Sequence, residues 1–153
     1  LKISPLPLLS FLLIAALTGC DDGASSSGGG EMSCEPPVGE CFRLGWSLSG
    51  EQASVEVVEA SPQEPVKGLN SWAVELSNLA GEALIGCELR LEPYMPDHRH
   101  GSNVVDSQEQ GEGRYLLEGF DLIMPGYWTL PIEVTCPEMS APETLTFDLW
   151  LEG

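Results

Sequence analysis

The stretch RYLLEGFDLIMPGYWTLPIEVTC, residues 114–136, decides the predicted fold. It reads as two strands, Arg114–Leu122 and Tyr127–Cys136, separated by the Met-Pro-Gly turn at 124–126. In both runs the pattern has a period near two, which is typical of strands with one buried face. Because proline fixes φ and glycine permits turn conformations, the residues between the runs indicate a turn. The stretch therefore predicts successive strands of an all-β domain.

The same pattern extends through most of the chain after residue 41. Further strands are predicted at Phe42–Leu48, Ser54–Glu59, Trp72–Leu76, Ala83–Leu91 and Leu145–Leu151, with a short extended piece at Asn103–Asp106. Residues 61–70 are a predicted loop and residues 108–113 a polar, glycine-rich turn. Large aromatic side chains lie on different strands and are expected in one core: Trp72, Trp128, Trp150, Phe120 and Phe147. We predict a single immunoglobulin-like antiparallel β-sandwich of about seven strands.

The first 33 of the 153 residues have a different character. Residues 8–17 are uncharged and mostly apolar, but too few for a bilayer, which takes about 20 residues. They lead to Leu17-Thr18-Gly19-Cys20, which resembles a bacterial lipobox whose cysteine takes a diacylglycerol group. An ordinary signal peptide with a chance cysteine is the alternative. We predict a lipoprotein signal peptide at 1–19, lipidated Cys20 with a flexible linker at 20–33, and the sandwich at 34–153.

The predicted location is therefore the bacterial cell envelope, on a membrane through the lipid and facing the periplasm or the exterior. The formal charge of −18 argues against nucleic acid as a partner, because phosphate would be repelled. Solubility explains such a charge well enough that it indicates no particular partner.

Four cysteines remain after Cys20, an even number in a compartment where disulfides persist. Three pairings are possible, and Cys34–Cys41 with Cys87–Cys136 is favoured. The first closes a short proline- and glycine-containing loop, and the second would join two strands and close a long loop. A thiolate metal site is the alternative, although the chain contains no Cys-x-x-Cys pair.

The order of several short motifs resembles a known family. A strand ends in Met-Pro-Asp-His-Arg-His-Gly at 95–101, and Gly-Arg-Tyr follows at 113–115. Then come Phe-Asp-Leu-Ile-Met at 120–124 and Gly-Tyr-Trp-Thr-Leu at 126–130. Residues 69–151 thus resemble the YtkA-like domain, an immunoglobulin-like module of bacterial envelope proteins related to the FixH group. Some relatives sit near copper handling or respiratory-oxidase assembly. Cys87, Cys136 and the segment around Cys34 and Cys41 depart from that pattern.

The only two histidines of the chain, His98 and His100, lie in the first of these motifs, with Met95 beside them. Thioether sulfur favours Cu(I), and imidazole binds both oxidation states of copper. Two side chains two residues apart in an extended loop can point the same way. If both loops share one end of the sandwich, Met124 completes a site of three or four ligands. Asp97 is an oxygen ligand or an acceptor that orients an imidazole.

Simpler readings of the same residues stay open. Met95 and Met124 each precede a proline and could plug the rim of the core. The two histidines flank Arg99 and could form an exposed loop without any ligand. Zinc hydrolysis lacks a third ligand, and no Gly-x-Ser-x-Gly, Cys-x-x-Cys-His or phosphate loop is present.

These patterns predict a protein without catalytic activity that binds copper for transfer or sequestration. A copper donor or acceptor would be its partner, and ligand exchange its mechanism. The alternative is an envelope interaction module without metal, in which the same loop contacts a membrane protein.

Overall fold

The computed structural model describes residues Cys34–Gly153, and this part of the chain is all-β. The signal peptide at 1–19, Cys20 and the linker predicted at 20–33 lie outside it. Eleven strands follow one another: β1 Ser47–Ser49, β2 Ala53–Ser61, β3 Gly68–Asn78, β4 Glu88–Leu91, β5 Tyr94–Met95, β6 His100–Gly101, β7 Val105–Asp106, β8 Gln108–Gly111, β9 Arg114–Leu122, β10 Gly126–Thr135 and β11 Glu143–Leu151. Between Cys34 and Gly153, no helix is long and apolar enough to cross a membrane.

The strands form two antiparallel sheets. One sheet has the order β1-β2-β3-β9-β8. The other has the order β6-β5-β10-β4-β7, and β11 pairs with the remaining edge of β10. The arrangement confirms the predicted all-β antiparallel sandwich. Strand β10 is central to the second sheet, because it pairs with β11 on one side and with β4 and β5 on the other.

Alternation of side chains explains why the two sheets pack face to face. Along β10 every second side chain is fully buried: Trp128, Leu130, Ile132 and Val134. The facing strand β9 buries Tyr115, Leu117, Phe120 and Leu122. Burying a large apolar side chain contributes about 1.5–3 kcal/mol, so these two rows supply much of the driving force for the sandwich.

The aromatic core was predicted correctly except at one position. Trp72 packs against Phe42, Phe120 and Phe147, with ring centroids 5.3–5.6 Å apart. Trp128 is fully buried as well. Trp150 is only half-buried, because its neighbours Leu149 and Leu151 take the inward positions of β11. Trp150 was therefore predicted on the inward face of β11 but lies on the opposite face.

The long strand predicted at Ala83–Leu91 is also wrong over its first half. Regular pairing begins only at Glu88, and Ala83 makes an isolated bridge to Ser77. Gly86 has φ +67°, which breaks the extended conformation. The inward face changes register at that glycine, so Leu84 is buried while Ile85 is 58% exposed.

Three other boundaries differ for local reasons. Phe42–Leu48 forms a strand only from Ser47 onward, since the chain turns before that point. Residues 108–111 form a strand rather than a turn, and its four residues are all exposed, so no alternation marks it. The loop predicted at 61–70 is shorter, because β3 already begins at Gly68.

Both favoured disulfides are present in the structure. Cys87 and Cys136 lie immediately outside the paired ends of β4 and β10, so the bond joins neighbouring strands of one sheet. The Cys34–Cys41 loop places Glu40 beside β11, on the edge that does not pair with β10. There the Glu40 N–H donates to the Asp148 carbonyl and the Trp150 N–H donates to the Glu40 carbonyl. The loop thus covers part of an otherwise open sheet edge.

Three connections gather at one end of the sandwich, here called the hairpin end: residues 62–67, 96–99 and 123–125. Strand β3 begins where β9 ends, with Gly68 opposite Leu122. Residues 123–125 lead directly from β9 into β10. Tyr94 lies opposite Thr129 near the start of β10, which brings the 96–99 turn to the same end. Both predicted ligand loops therefore share one end of the fold.

Glu143 joins the two sheets at the opposite end. Its carboxylate accepts three backbone N–H bonds, from Glu51, Gln52 and Ala53, in the turn that leads into β2. Partial burial alone would raise the pKa of Glu143, but the three donors outweigh it and the pKa lies below its ordinary value of 4.5. The ionised side chain therefore stabilises the fold.

Replacing this carboxylate should weaken the fold in a pH-dependent way. Glu143→Gln should lower the free energy of unfolding at neutral pH by about 1–2 kcal/mol, since charge-assisted bonds are lost at a partly exposed site. A pKa depressed by folding contributes stability above the unfolded pKa and loses it as pH falls through the folded pKa. Urea titrations from pH 7 to pH 3 should therefore show the wild-type advantage shrinking with acid.

Glu118→Gln is the matched control, because Glu118 is an exposed side chain of β9. Its effect should be small at every pH. An equal loss in both variants would contradict the role assigned to Glu143.

Candidate metal centre

The predicted copper loop is a tight β-hairpin. Strands β5 and β6 pair through Tyr94 with Gly101 and Met95 with His100. The Arg99 N–H donates to the Met95 carbonyl at 2.8 Å and closes the turn. Arg99 takes φ +55°, a left-handed conformation that reverses the chain within four residues. The hairpin therefore holds the two histidines in defined positions, one in the turn and one in a strand.

A second set of bonds fixes the stem of this hairpin to the first sheet. The Ser102 N–H donates to the Pro93 carbonyl at 3.0 Å. The Asn103 side chain accepts from the Asp121 N–H at 2.7 Å and donates to the Gly119 carbonyl at 2.8 Å. Because Gly119 and Asp121 belong to β9, the amide of Asn103 connects the hairpin to the opposite sheet.

Met95 and His100 form a cross-strand pair. Directly opposed residues of an antiparallel pair place their side chains on the same face, about 4.5–5.5 Å apart at Cβ. That face points inward: Met95 is 1% exposed and His100 is half-buried. His98 in the turn is exposed, and its ring centroid lies 5.9 Å from that of His100. The three predicted ligands thus form a short series from the core to the solvent.

Trp128 lies beside this series on the central strand. Its ring meets the His100 ring edge-on, with centroids 6.1 Å apart and planes at 71°. Continuing the register from Thr129 opposite Tyr94 by one residue places Trp128 across from Met95. The Trp128 Nε1–H donates to the Met124 carbonyl at 2.9 Å. One indole therefore connects the hairpin with the 123–125 loop.

Met124 is brought to the same end by its backbone. Its side chain is half-buried and packs against the core, as the rim-plug alternative predicts. Met95 is a core residue by burial and also the partner of His100 by register. The burial of Met95 agrees with the packing alternative, and its role as a metal ligand stays a prediction.

Of the two roles predicted for Asp97, that of an acceptor orienting an imidazole is not observed among the described residues, and that of an oxygen ligand stays a prediction. Within residues 34–153, neither imidazole is hydrogen-bonded to Asp97, and His100 Nδ1 lies 3.3 Å from the Gly101 carbonyl instead. Asp97 is exposed, and its negative charge helps to raise the pKa of Tyr127. The hydrogen bond from Tyr127 to Asp148, partial burial and the charges of Asp148 and Asp97 raise the pKa of Tyr127 to about 12.

The available donors limit the kind of metal site. Among the described residues, no three His, Cys, Asp or Glu side chains are grouped so that they could hold a metal ion. All four cysteines in this region are in disulfides. Methionine sulfur is a soft donor that remains beside the two histidines, at Met95.

Charge at the hairpin end is mixed, because its connections carry Glu64 and Asp97 as well as Lys67 and Arg99. Of the five basic residues in the described region, Arg43, Arg90 and Arg114 form ion pairs. In that region Lys67 and Arg99 have no carboxylate within 4.0 Å, and both lie at the hairpin end. Binding there would depend on the softness of the ligands rather than on the net charge of −18.

Sequence reasoning missed two residues of this site. Trp128 was assigned only to the core, and Gly126 only to a turn. The period-two pattern of β10 was the signal that could have identified Trp128, because it turns residue 128 inward at the hairpin end. A Cβ on Gly126 would lie 2.5 Å from Met95 Cε, so this glycine gives the methionine its space.

Comparison of the chain with protein-family models, curated proteins and solved structures finds no match. The resemblance to the YtkA-like domain therefore remains a prediction from the motifs at 95–101, 113–115, 120–124 and 126–130.

Gly126→Ala should destabilise the protein by about 1–3 kcal/mol, because the new methyl group must displace the buried Met95 side chain. Denaturant unfolding measures the loss. Gly68→Ala is the matched control: both glycines have positive φ, +128° and +111°, but a Cβ on Gly68 meets nothing within 4 Å. Equal losses would mean that backbone strain explains the effect and that contact with Met95 does not.

Proposed function

We propose that this protein binds one copper ion at the hairpin end, through His98, His100 and Met95 with Met124 as a further ligand. The observation that carries the proposal is the Met95–His100 cross-strand pair with His98 next to it. Two imidazoles and a thioether are a soft, uncharged ligand set, which suits Cu(I) and tolerates the neighbouring Arg99.

The gradient of burial suggests how copper would enter and leave. His98 is exposed and meets the ion first, half-buried His100 follows, and buried Met95 completes the coordination from below. A partner that supplies one ligand at a time could take the ion in the reverse order. Such exchange needs no reaction on a substrate, so the proposed role is transfer or sequestration without catalysis.

We further propose that the chain is a YtkA-like lipoprotein of the bacterial envelope, attached to a membrane through lipidated Cys20. The lipobox-like stretch at 17–20 and the glycine- and serine-rich residues after it support this proposal. A copper donor or acceptor of the envelope would be the partner.

A partner-contact surface without metal is the second candidate. Three large apolar side chains at the hairpin end are exposed: Val66 by 45%, Leu69 by 66% and Ile123 by 42%. Exposed apolar side chains that lie together can mark a protein contact. This candidate predicts that the same end is used without any copper affinity.

Copper affinity separates the two candidates. Chelator competition should give tight binding of one Cu(I) per protein, and His98→Ala/His100→Ala should weaken it at least about a hundredfold, since each tenfold step is about 1.4 kcal/mol. Met124→Leu should weaken binding less, and Met139→Leu should leave it unchanged.

Met139 is the matched control because it is also half-buried against the core, but it follows β10 at the opposite end. Weak binding by the wild type, or equal binding by the double histidine variant, would reject copper. The exposed apolar surface would then be the better explanation of this end.

The lipid anchor has its own test. Cys20→Ser should move the protein from the membrane fraction to the soluble fraction of the producing cells, because the thiol that takes the lipid is gone. Cys34→Ser/Cys41→Ser should leave it in the membrane fraction. Membrane association that survives the loss of Cys20 would contradict lipidation at that residue.

A further inference from the structure

We propose that the Trp128 indole forms the inner wall of the copper site and makes the site selective for Cu(I) over Cu(II). This inference rests on the proposed copper function and extends it to a residue that supplies no conventional ligand atom.

The contacts of Trp128 differ from those of the other buried tryptophans. Trp72 and Trp46 meet phenylalanine rings, and the Arg43 guanidinium also lies over the Trp46 ring, but neither indole contacts a histidine. The Trp128 ring instead makes a T-shaped contact with the His100 ring, lies across from Met95, and donates its N–H to the main-chain carbonyl of Met124. It therefore contacts His100, faces Met95 and is tied to the backbone of the loop that carries Met124.

The chemistry of indole limits what Trp128 can offer to a metal. Its Nε1–H is a donor only, and the Met124 carbonyl occupies it. The ring carbons and the π-face remain, and they attract a cation without ligating it as nitrogen or oxygen does. Trp128 is 0% exposed, so the wall also admits no water at this position.

These properties favour the lower oxidation state. Cu(II) prefers tetragonal nitrogen and oxygen ligands, and water would ordinarily complete them. On the inner side, the hairpin end offers sulfur and an aromatic surface instead. Cu(I) accepts fewer and softer ligands, so it loses nothing where the indole excludes water. The exclusion of water therefore lowers the affinity for Cu(II) more than the affinity for Cu(I).

Fluorescence and affinity test the proposal together. The protein has four tryptophans, and Cu(I) at saturation should quench the emission of the one next to it. Trp128→Leu should abolish the copper-dependent quenching, while Trp46→Phe, which removes an equally buried indole, should retain it. Trp128→Leu should also lower the ratio of Cu(I) to Cu(II) affinity by about thirtyfold, the scale of a desolvated cation–π contact.

The wild-type protein provides the same test if Trp128→Leu fails to fold. In a ¹⁵N-labelled sample, the Trp128 indole N–H resonance, assigned through its contacts with the His100 ring, should shift on addition of Cu(I). The Trp46 resonance should stay in place.

The outcomes separate this inference from the function on which it rests. Tight Cu(I) binding by chelator competition, with quenching that survives in Trp128→Leu, an unchanged affinity ratio or a stationary Trp128 resonance, would overturn the role of Trp128 alone. No Cu(I) binding by the wild type would overturn both.

Discussion

The pairing of β10 on both of its edges is the constraint on which the rest of the structure depends. Its inward side chains from Trp128 to Val134 are completely buried, and they form part of the surface against which the other sheet packs. One edge of β10 pairs with two separate strands. Strand β5 pairs near the start of β10, and β4 pairs along the half that is farther from the hairpin end. The interruption between them allows the chain to leave the sheet after Met95, turn, and return as β6. The candidate site is thus a consequence of how one edge of β10 is shared.

The same constraint explains why a methionine and a histidine meet at the core rim. Gly126 at the start of β10 leaves room for the Met95 side chain, and Trp128 lies alongside. The cross-strand register then sets His100 beside the sulfur-bearing residue. A packed wall below and an exposed turn above produce a site that is rigid on one side and accessible on the other. Such an arrangement agrees with the proposed role, in which an ion is held and then passed to a partner.

The amino-acid pattern predicts the interior of the fold better than its edges. Strands β9 and β10 were predicted closely, because both alternate and both have one buried face. The β8 strand was missed since all its side chains are exposed, and the strand at Ala83–Leu91 was overextended since Gly86 shifts the inward face. The bonds of Glu143 to a turn 90 residues away left no local signal. At the candidate site, the histidines and methionines were visible in the sequence, but the contact between Trp128 and His100 required knowledge of which strand faces the hairpin.

The central claim is that one copper ion is held by imidazole nitrogen and methionine sulfur together. X-ray absorption at the copper edge of the Cu(I)-loaded protein tests it most directly, because sulfur and nitrogen neighbours scatter differently. We expect both kinds of neighbour in the wild type, and loss of the nitrogen contribution in His98→Ala/His100→Ala. A spectrum with only nitrogen and oxygen neighbours would contradict the claim, as would a protein that retains no copper to measure.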